Sequence, residues 1–524
     1  MKIALAQLNP IPADIKYNKN KIIETIQSIN ADLLVFPQNF IYGDDNFKMI
    51  EKFKFVSEQI NYALNEISKI AKYPILLSLP YDKFVLIENH KINKVTTFQI
   101  KNKTFKILTE LQNSNEADYL IYSKSLISRT NSEFFRNKEL SEFAHNQNKN
   151  LIYINQVGAT DSKVYDGLSR FINQNGETIT LAKAFEEDIL YNISNNVKNE
   201  YLPTTNLDSF SLNYENDLKR TYMAAKLAIK DYFSKNCFKQ AVLGLSGGLD
   251  STICAVLLAD ALGNKNVLGV LMPSKLSSNS SIIDANELAK NLNINYITAP
   301  IKTYHEVFNE GFENIFNEIS VKWHNRYTNS FTQDNIQARS RAMILWGIAN
   351  EYSATLPIAT SDKSECYMGY ATINGDMSGG YAPIMDITKT KLFALGHWMN
   401  KNREIKNAIP ENILKKPPGA ELAIDPNTGE TLKAEDALMP YEFMDEVIWR
   451  IENFNQSIDN MMQNEFIYEK NNIIDKDTKK QWLEKFYKRM NSAIYKWYIS
   501  PPSPIMDSYS INRNNQAITS NLNY

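Results

Sequence analysis

Apolar and polar positions alternate along this chain with two periods, and the exchange between them marks out the elements. Across residues 1–190 short apolar runs predict strands at 2–8, 33–36, 75–78, 119–122 and 151–155. Apolar positions three and four apart predict helices over 18–30, 47–72 and 132–146. Residues 157–180 predict a turn and a hairpin with Asn175-Gly176 at its tip, a pair suited to positive φ. From Glu186 to Asn216 the pattern fades into a polar, Asn-rich stretch containing Pro203, which predicts a linker over 191–216. Residues 217–500 resume with strands at 241–243, 266–272, 296–301 and 354–360, separated by helices at 252–262, 281–292 and 334–352. That alternation predicts a parallel, doubly wound sheet whose ligand sits at the carboxyl ends of its strands. The tail, 501–524, is polar and rich in Asn and Ser, so disorder is expected there.

Composition changes this picture little. A length of 524 residues allows two or three domains, and 43% hydrophobic with 22% charged residues is ordinary for a soluble globular chain. A net charge of −2 provides no global field for nucleic acid. No apolar run reaches the length of a membrane span, and no signal-peptide core follows Met1. The three cysteines, Cys237, Cys254 and Cys366, lack CxxC spacing and only five histidines accompany them. A disulfide framework and a structural zinc site are therefore not expected, and a reducing cytoplasm is.

The chemistry concentrates at Gly244-Leu245-Ser246-Gly247-Gly248-Leu249-Asp250-Ser251, between the apolar run Ala241-Val242-Leu243 and a helix. A strand, a glycine turn and a helix start converge backbone N–H groups on one anion. Ser246 and Ser251 add hydroxyls, and Asp250 can hold the Mg²⁺ that accompanies a nucleotide. No lysine follows the glycines, which separates the loop from GxxxxGK[ST]. It resembles the SGGxDS loop of the ATP pyrophosphatases; the plain alternative is a structural strand–turn–helix corner.

Further motifs follow at the ends of predicted strands or helices: Asn335-Ile336-Gln337-Ala338-Arg339-Ser340-Arg341, Thr360-Ser361-Asp362-Lys363-Ser364-Glu365, Gly375-Asp376-Met377-Ser378-Gly379-Gly380, Ile387-Thr388-Lys389-Thr390-Lys391 and Lys416-Pro417-Pro418-Gly419-Ala420-Glu421-Leu422. In this order they resemble the NAD synthetases, in particular the glutamine-dependent, two-domain branch. The resemblance implies ATP-dependent adenylation of deamido-NAD (nicotinic acid adenine dinucleotide), release of pyrophosphate, and displacement of AMP by ammonia. It places residues 244–251, Thr360 and Lys389 on ATP, and Asp250 and Glu365 on Mg²⁺. Asn335, Glu365, Asp376 and Lys496 fall on deamido-NAD, with Asp250, Glu365 and Lys389 carrying the chemistry. Lys391 is a near-equal candidate for the role of Lys389, and Lys363 reads equally well as a solvated side chain. Asp362 stands where the family has asparagine, and Gly419 where it has serine. Tyr495-Lys496-Trp497-Tyr498-Ile499-Ser500-Pro501-Pro502 departs from the family's YKRxQxPP at Trp497 and Ile499. The resemblance also implies a homo-oligomer, at least a dimer.

The first segment resembles the nitrilase-type glutaminase of that branch, an α-β-β-α sandwich. Met1–Pro10 (MKIALAQLNP) matches its opening strand, and Ile154-Asn155-Gln156-Val157-Gly158 with Tyr165-Asp166-Gly167 matches its NQVG…FDG signature. Its mechanism needs a cysteine nucleophile, a glutamate base and a lysine at the oxyanion. Here Phe-Pro-Glu has become Phe36-Pro37-Gln38, the segment expected to read ICED is Ile107-Leu108-Thr109-Glu110-Leu111, and no cysteine precedes Cys237. Residues 92–106 offer no match for the lysine. The expectation is a glutaminase domain without its catalytic groups, retained for assembly or stability. Free ammonia is then the nitrogen donor, with glutamine through a separate glutaminase as the alternative. Competing readings are another ATP pyrophosphatase, such as GMP synthetase or a tRNA-modifying enzyme, and a non-enzymatic scaffold.

Overall fold

The computed structural model describes residues 1–43, 54–114, 117–193, 215–319, 331–416, 419–424, 431–433, 438–507 and 510. Two compact units divide the chain, Met1–Thr204 and Thr205–Tyr524.

The first unit is built on β1 (Ile3–Gln7), whose side chains alternate between two cores. Ala4 and Ala6 face α1 (Ile15–Ser28) and α2 (Lys54–Ile70), whereas Ile3 and Leu5 face a second sheet. That period of two, with both faces apolar, is why these strands read as continuous hydrophobic runs. One six-stranded sheet joins β1 to β2 (Leu33–Val35), β3 (Ile75–Leu79), β4 (Lys83–Glu88) and β5 (Lys91–Lys94). The other six-stranded sheet contains β6 (Thr97–Ile100), β7 (Lys103–Leu108), β8 (Tyr119–Ser123) and β9 (Asn150–Ile154), with α3 (Ser132–Gln147) packed outside it. The result is a helix–sheet–sheet–helix sandwich. A small hairpin, β10 (Val157–Thr160) with β11 (Lys163–Asp166), precedes β12 (Arg170–Ile172) and β13 (Thr178–Leu181), which complete the second sheet.

Three expectations change. The stretch from Glu186 where the pattern fades, just before and overlapping the expected linker at Tyr191, forms β14 (Asp188–Tyr191), which pairs antiparallel with β1 and supplies its edge with partners. Residues 194–214 of that linker lie outside the described residues, as do 44–53 at the start of the expected helix 47–72. Strands β4 to β7 were not expected at all. The tail is also not wholly loose: Asp386 accepts backbone N–H bonds from Met506 (2.7 Å) and Asp507 (3.1 Å), and Ile505 and Met506 are buried. Residues 508, 509 and 511–524 lie outside the described residues.

The second unit opens with α4 (Glu215–Lys235) and then β15 (Gln240–Gly244), α5 (Leu249–Leu262), β16 (Val267–Leu271), α6 (Asn279–Asn291) and β17 (Asn295–Thr298). Two helices, α7 (Lys302–Ile319) and α8 (Thr332–Glu351), lead to β18 (Thr355–Pro357). The four strands are parallel in the order β17-β16-β15-β18. The order reverses between β15 and β18, so a crevice opens beyond their carboxyl ends, where the loops after Gly244 and Pro357 emerge. α5 is buried from Ser251 to Leu258, which erases the amphipathic period along its sequence. Then come α9 (Lys363–Met368), α10 (Lys389–Asn402) and α11 (Glu411–Lys415). Helices Tyr441–Phe454 and Lys476–Trp497 pack with α9 around Phe443, Met444, Leu483 and Phe486. Among the described residues no helix is long and apolar enough to cross a membrane.

Candidate active site

The glycine loop leaves β15 at the switch point. Gly247 has φ +76, and a Cβ there would lie 2.2 Å from the carbonyl oxygen of Ser281, so only glycine fits this turn. The loop is tied internally: Ser246 and Ser251 hydroxyls are 3.0 Å apart, and the Gly248 N–H donates to Ser246 Oγ (3.1 Å). Gly248 then caps α5 without a side-chain bond, which leaves the helix's first N–H groups for a ligand.

A cavity of about 840 Å³ lies against this loop. Its lining contains Gly244 through Ser251, Asn335, Thr360, Glu365, Asp376, Lys389 and Lys496, so the residues that the resemblance assigns to ATP, Mg²⁺ and deamido-NAD border one space. Lys389 is the centre of charge. It is the first residue of α10, where the helix dipole disfavours a cation, and its side chain is buried. Three carboxylates offset both penalties: Asp362 at 2.6 Å, Asp250 at 2.7 Å and Glu365 at 3.0 Å. These attractions outweigh desolvation and raise the ammonium well above its usual range, which keeps it charged. Burial pushes the Asp362 carboxyl up to about 7 against the pull of Lys389, and holds the Glu365 carboxyl well above its ordinary range.

In the sequence Asp362 stands out only as a residue where the family has asparagine. The structure gives it two tasks, since it also caps α9 by accepting from the Glu365 N–H at 2.8 Å. Its oxygen and those of Asp250 and Glu365 lie within 4.8 Å of one another, a hard oxygen-donor set that suits Mg²⁺.

The other named residues take distinct places. Lys391 pairs with Asp217 at 2.6 Å rather than lining the cavity. Lys363 is not solvated: it is fully buried against Glu452 (2.8 Å), Asp386 (3.3 Å) and Asp507 (3.5 Å). Arg339 donates to the Ile373 carbonyl at 3.1 Å. Asn335 and Asp376 are joined through Thr372, whose hydroxyl donates to Asn335 (2.8 Å) and whose N–H donates to Asp376 (2.5 Å). Burial within the cavity pushes the Asp376 carboxyl up to about 6, although its outer edge is open to solvent, which softens the shift. Lys416 reaches Ser281 at 2.6 Å, whereas Pro417 and Pro418 lie outside the described residues.

In the first unit, Gln38 is buried and neutral. Its Nε2 donates to Asp82 (2.6 Å) and its Oε1 accepts from the Ser125 N–H (2.9 Å). Thr109 follows the end of β7, half-buried.

A parallel sheet with a glycine loop at its switch point, facing a lysine ringed by acids, defines an ATP-pyrophosphatase type of nucleotide site; here it accompanies a nitrilase-like sandwich. The NAD synthase family profile matches residues 221–490. A glutamine-dependent NAD(+) synthetase of Aquifex aeolicus is 31% identical over 524 aligned positions, covering 86% of this chain and 88% of that protein. The Synechocystis protein of the same name is 37% identical over 324 residues, 62% of this chain and 54% of its own length. A solved glutamine-dependent NAD(+) synthetase from Cytophaga hutchinsonii shares the fold with a TM-score of 0.79 at 18% identity, covering 99% of this chain and 97% of its own. The Acinetobacter baumannii enzyme, solved with ADP, gives 0.69 at 22% identity, covering 98% and 97%. The chain belongs to the glutamine-dependent NAD+ synthetase family.

Proposed function

We propose that the chain makes NAD+ by adenylating the carboxylate of deamido-NAD with ATP and letting ammonia displace AMP. One observation carries this reading: Lys389 bridges Asp250 of the glycine loop to Glu365 at the head of α9, on the wall of one cavity. Attack on the α-phosphorus places charge on the departing pyrophosphate. The Ser246–Ser251 backbone and the Lys389 ammonium are positioned to receive that charge without reorganising. A Mg²⁺ held by Asp250 and Glu365, with Asp362 beside them, would supply further charge neutralisation there. Asn335 and Asp376, linked through Thr372, form the side of the cavity assigned to deamido-NAD. The test is ATP–pyrophosphate exchange that requires deamido-NAD and is lost in Asp250→Ala; exchange indifferent to deamido-NAD would sink the reading.

The nitrogen source divides two readings. The names of the relatives favour glutamine over free ammonia. Yet the first unit of this chain has no cysteine, and Gln38 stands where a base is needed. We read ammonia as what reaches the adenylate, released from glutamine by a separate glutaminase or taken as free ammonium. Purified protein should turn over with ammonium and not with glutamine. Glutamate release by this chain alone would refute it.

A homodimer or larger assembly is proposed as well, supported by α7. None of that helix's residues is buried, and Val307 (63%), Phe312 (38%) and Ile315 (49%) are exposed along it. Light scattering showing a monomer at micromolar concentration would remove this part.

A further inference from the structure

The cavity does not end at the carboxylates. Its wall continues along α9 to Gly369, roughly 6 Å of helix rise beyond Glu365. Two cations from the helix Lys476–Trp497 meet this end. Arg489 Nε donates to the Met368 carbonyl at 3.2 Å, and Lys496 Nζ donates to Gly369 (2.8 Å) and Ala371 (2.7 Å). Seven residues is close to two full turns, so both side chains leave the same face of their helix. Both line the cavity.

Neither has a carboxylate within ion-pair distance among the described residues; both donate to backbone carbonyls. Burial lowers both pKa values. Asp376 opposes this for Lys496, and only Tyr370 does so for Arg489. A guanidinium presents five N–H donors in a planar fork, and the Met368 contact uses one of them. Partly desolvated cations without a counter-ion carry a cost that an arriving anion removes.

The contacts run in series: glycine loop, Asp250, Lys389, Glu365, the end of α9, then Arg489 and Lys496. ATP phosphates belong at the first of these stations, and the reacting carboxylate near Glu365. An anion beyond Glu365, on the side of Asn335 and Asp376, belongs to the second substrate. We propose that Arg489, a neighbour of the Lys496 that the resemblance already assigns to deamido-NAD, binds the phosphate of the nicotinate-nucleotide half of that substrate and is a specificity residue for phosphorylated substrates. This rests on the synthetase reading above.

The experiment compares wild type with Arg489→Ala, Arg489→Lys and Arg489→Gln, using deamido-NAD together with nicotinate mononucleotide and nicotinate riboside as competitors, the last two differing only in that phosphate. KM for deamido-NAD should rise roughly 30-fold or more in Arg489→Ala, less in Arg489→Lys, with KM for ATP unchanged. Arg489→Ala should weaken inhibition by nicotinate mononucleotide and leave inhibition by nicotinate riboside equal to that of wild type. Equal losses with and without that phosphate would mean that Arg489 only steadies the end of α9, overturning the proposal. A rise in KM for ATP instead would assign the anion to ATP and overturn it too. Should Arg489→Ala not fold, Arg489→Gln keeps amide donors for Met368 without the charge and carries the same comparison. Folded wild type inert toward deamido-NAD would overturn the parent reading and this one with it. Wild type active, with deamido-NAD KM within threefold in every variant, would overturn this one alone.

Discussion

Replacing Lys389 by methionine tests the site most directly, because it removes a charge while keeping the stem. The ammonium sits 2.6, 2.7 and 3.0 Å from Asp362, Asp250 and Glu365. Removing one partner of a buried ion pair typically costs about 3–5 kcal/mol, since the remaining charges are left uncompensated. In a unit of this size that is a fall in Tm of roughly 5–10 °C. The size should depend on pH, and the sign follows from the acids. Asp362 and Glu365 already have raised pKa values in the folded state, so folding holds protons that the unfolded chain releases. Without Lys389 these values rise further. The variant should therefore be closest to wild type near pH 5 and worst at pH 8. Lys389→Met with Asp362→Asn removes one of the stranded charges, so stability should return in part. Exchange of pyrophosphate should not: a charge placed for the leaving group is worth about 10²–10³ in rate. Urea denaturation at pH 5.5 and 8 reads the first effect, and deamido-NAD-dependent exchange reads the second. A Lys389→Met protein within 1 kcal/mol of wild type at pH 8, or a double variant that regains exchange, would refute this account.

Three further outcomes are expected. Asp362→Asn alone keeps the cap on α9 and removes an acid whose pKa is about 7 against an ordinary 3.8. In metal-free buffer wild type should lose stability relative to the variant between about pH 4 and 7, by on the order of 2–4 kcal/mol; parallel pH profiles would contradict it. Gly247→Ala forces a Cβ to 2.2 Å from the Ser281 carbonyl at φ +76, and should cost at least about 2 kcal/mol and weaken ATP binding. Wild-type ATP affinity in that variant, measured by calorimetry, would show that the turn is not rigid. Gln38→Glu places a carboxylate against Asp82, so Tm should drop, more at pH 8 than at pH 5. No glutamine hydrolysis should appear, and its appearance would overturn the reading of the first unit.

The second unit was legible where local chemistry is strict. Gly247 needs positive φ, parallel strands are apolar on both faces, and the strand ends carry the loops that line the cavity, so spacing and resemblance together already grouped residues 244–251, Thr360 and Glu365. What failed to show depends on distant partners. β5 has Lys91, Asn93 and Lys94 exposed, a pattern that reads as loop until β4 pairs with it. Asp188–Tyr191 is half-buried throughout and becomes a strand because β1 needs an edge partner. Met506 and Asp507 are held by Asp386, 120 and 121 positions away. Asp362 showed as a departure from the family, but its place as a third acid on Lys389 required Asp250 and α10 to be brought to it.

On the reading proposed for the first unit, what makes a family recognisable is separated there from what makes it catalytic. Its signature residues Asn155 and Asp166 belong to a buried charge network rather than to a nucleophile. Arg136 pairs with Asp166 (2.8 Å) and with Glu133, which also holds Arg170 at 2.6 Å, while Asn155 donates to Asp166 and accepts from the Leu126 N–H. Gly167 has φ +73, which favours glycine, and a Cβ there would displace the hydrogen-bonded Gln7 amide 2.3 Å away. Two arginines and two acids are balanced only as a set, so losing one strands a buried charge at a cost of about 3–5 kcal/mol. At Gln38 no such constraint operates: the amide is satisfied by Asp82 and Ser125, and no buried charge is left behind. On the reading that hydrolysis has been lost here, folding stability alone is enough to keep Asn155, Asp166 and Gly167 in place. A catalytic glutamate and cysteine would have had only activity to keep them.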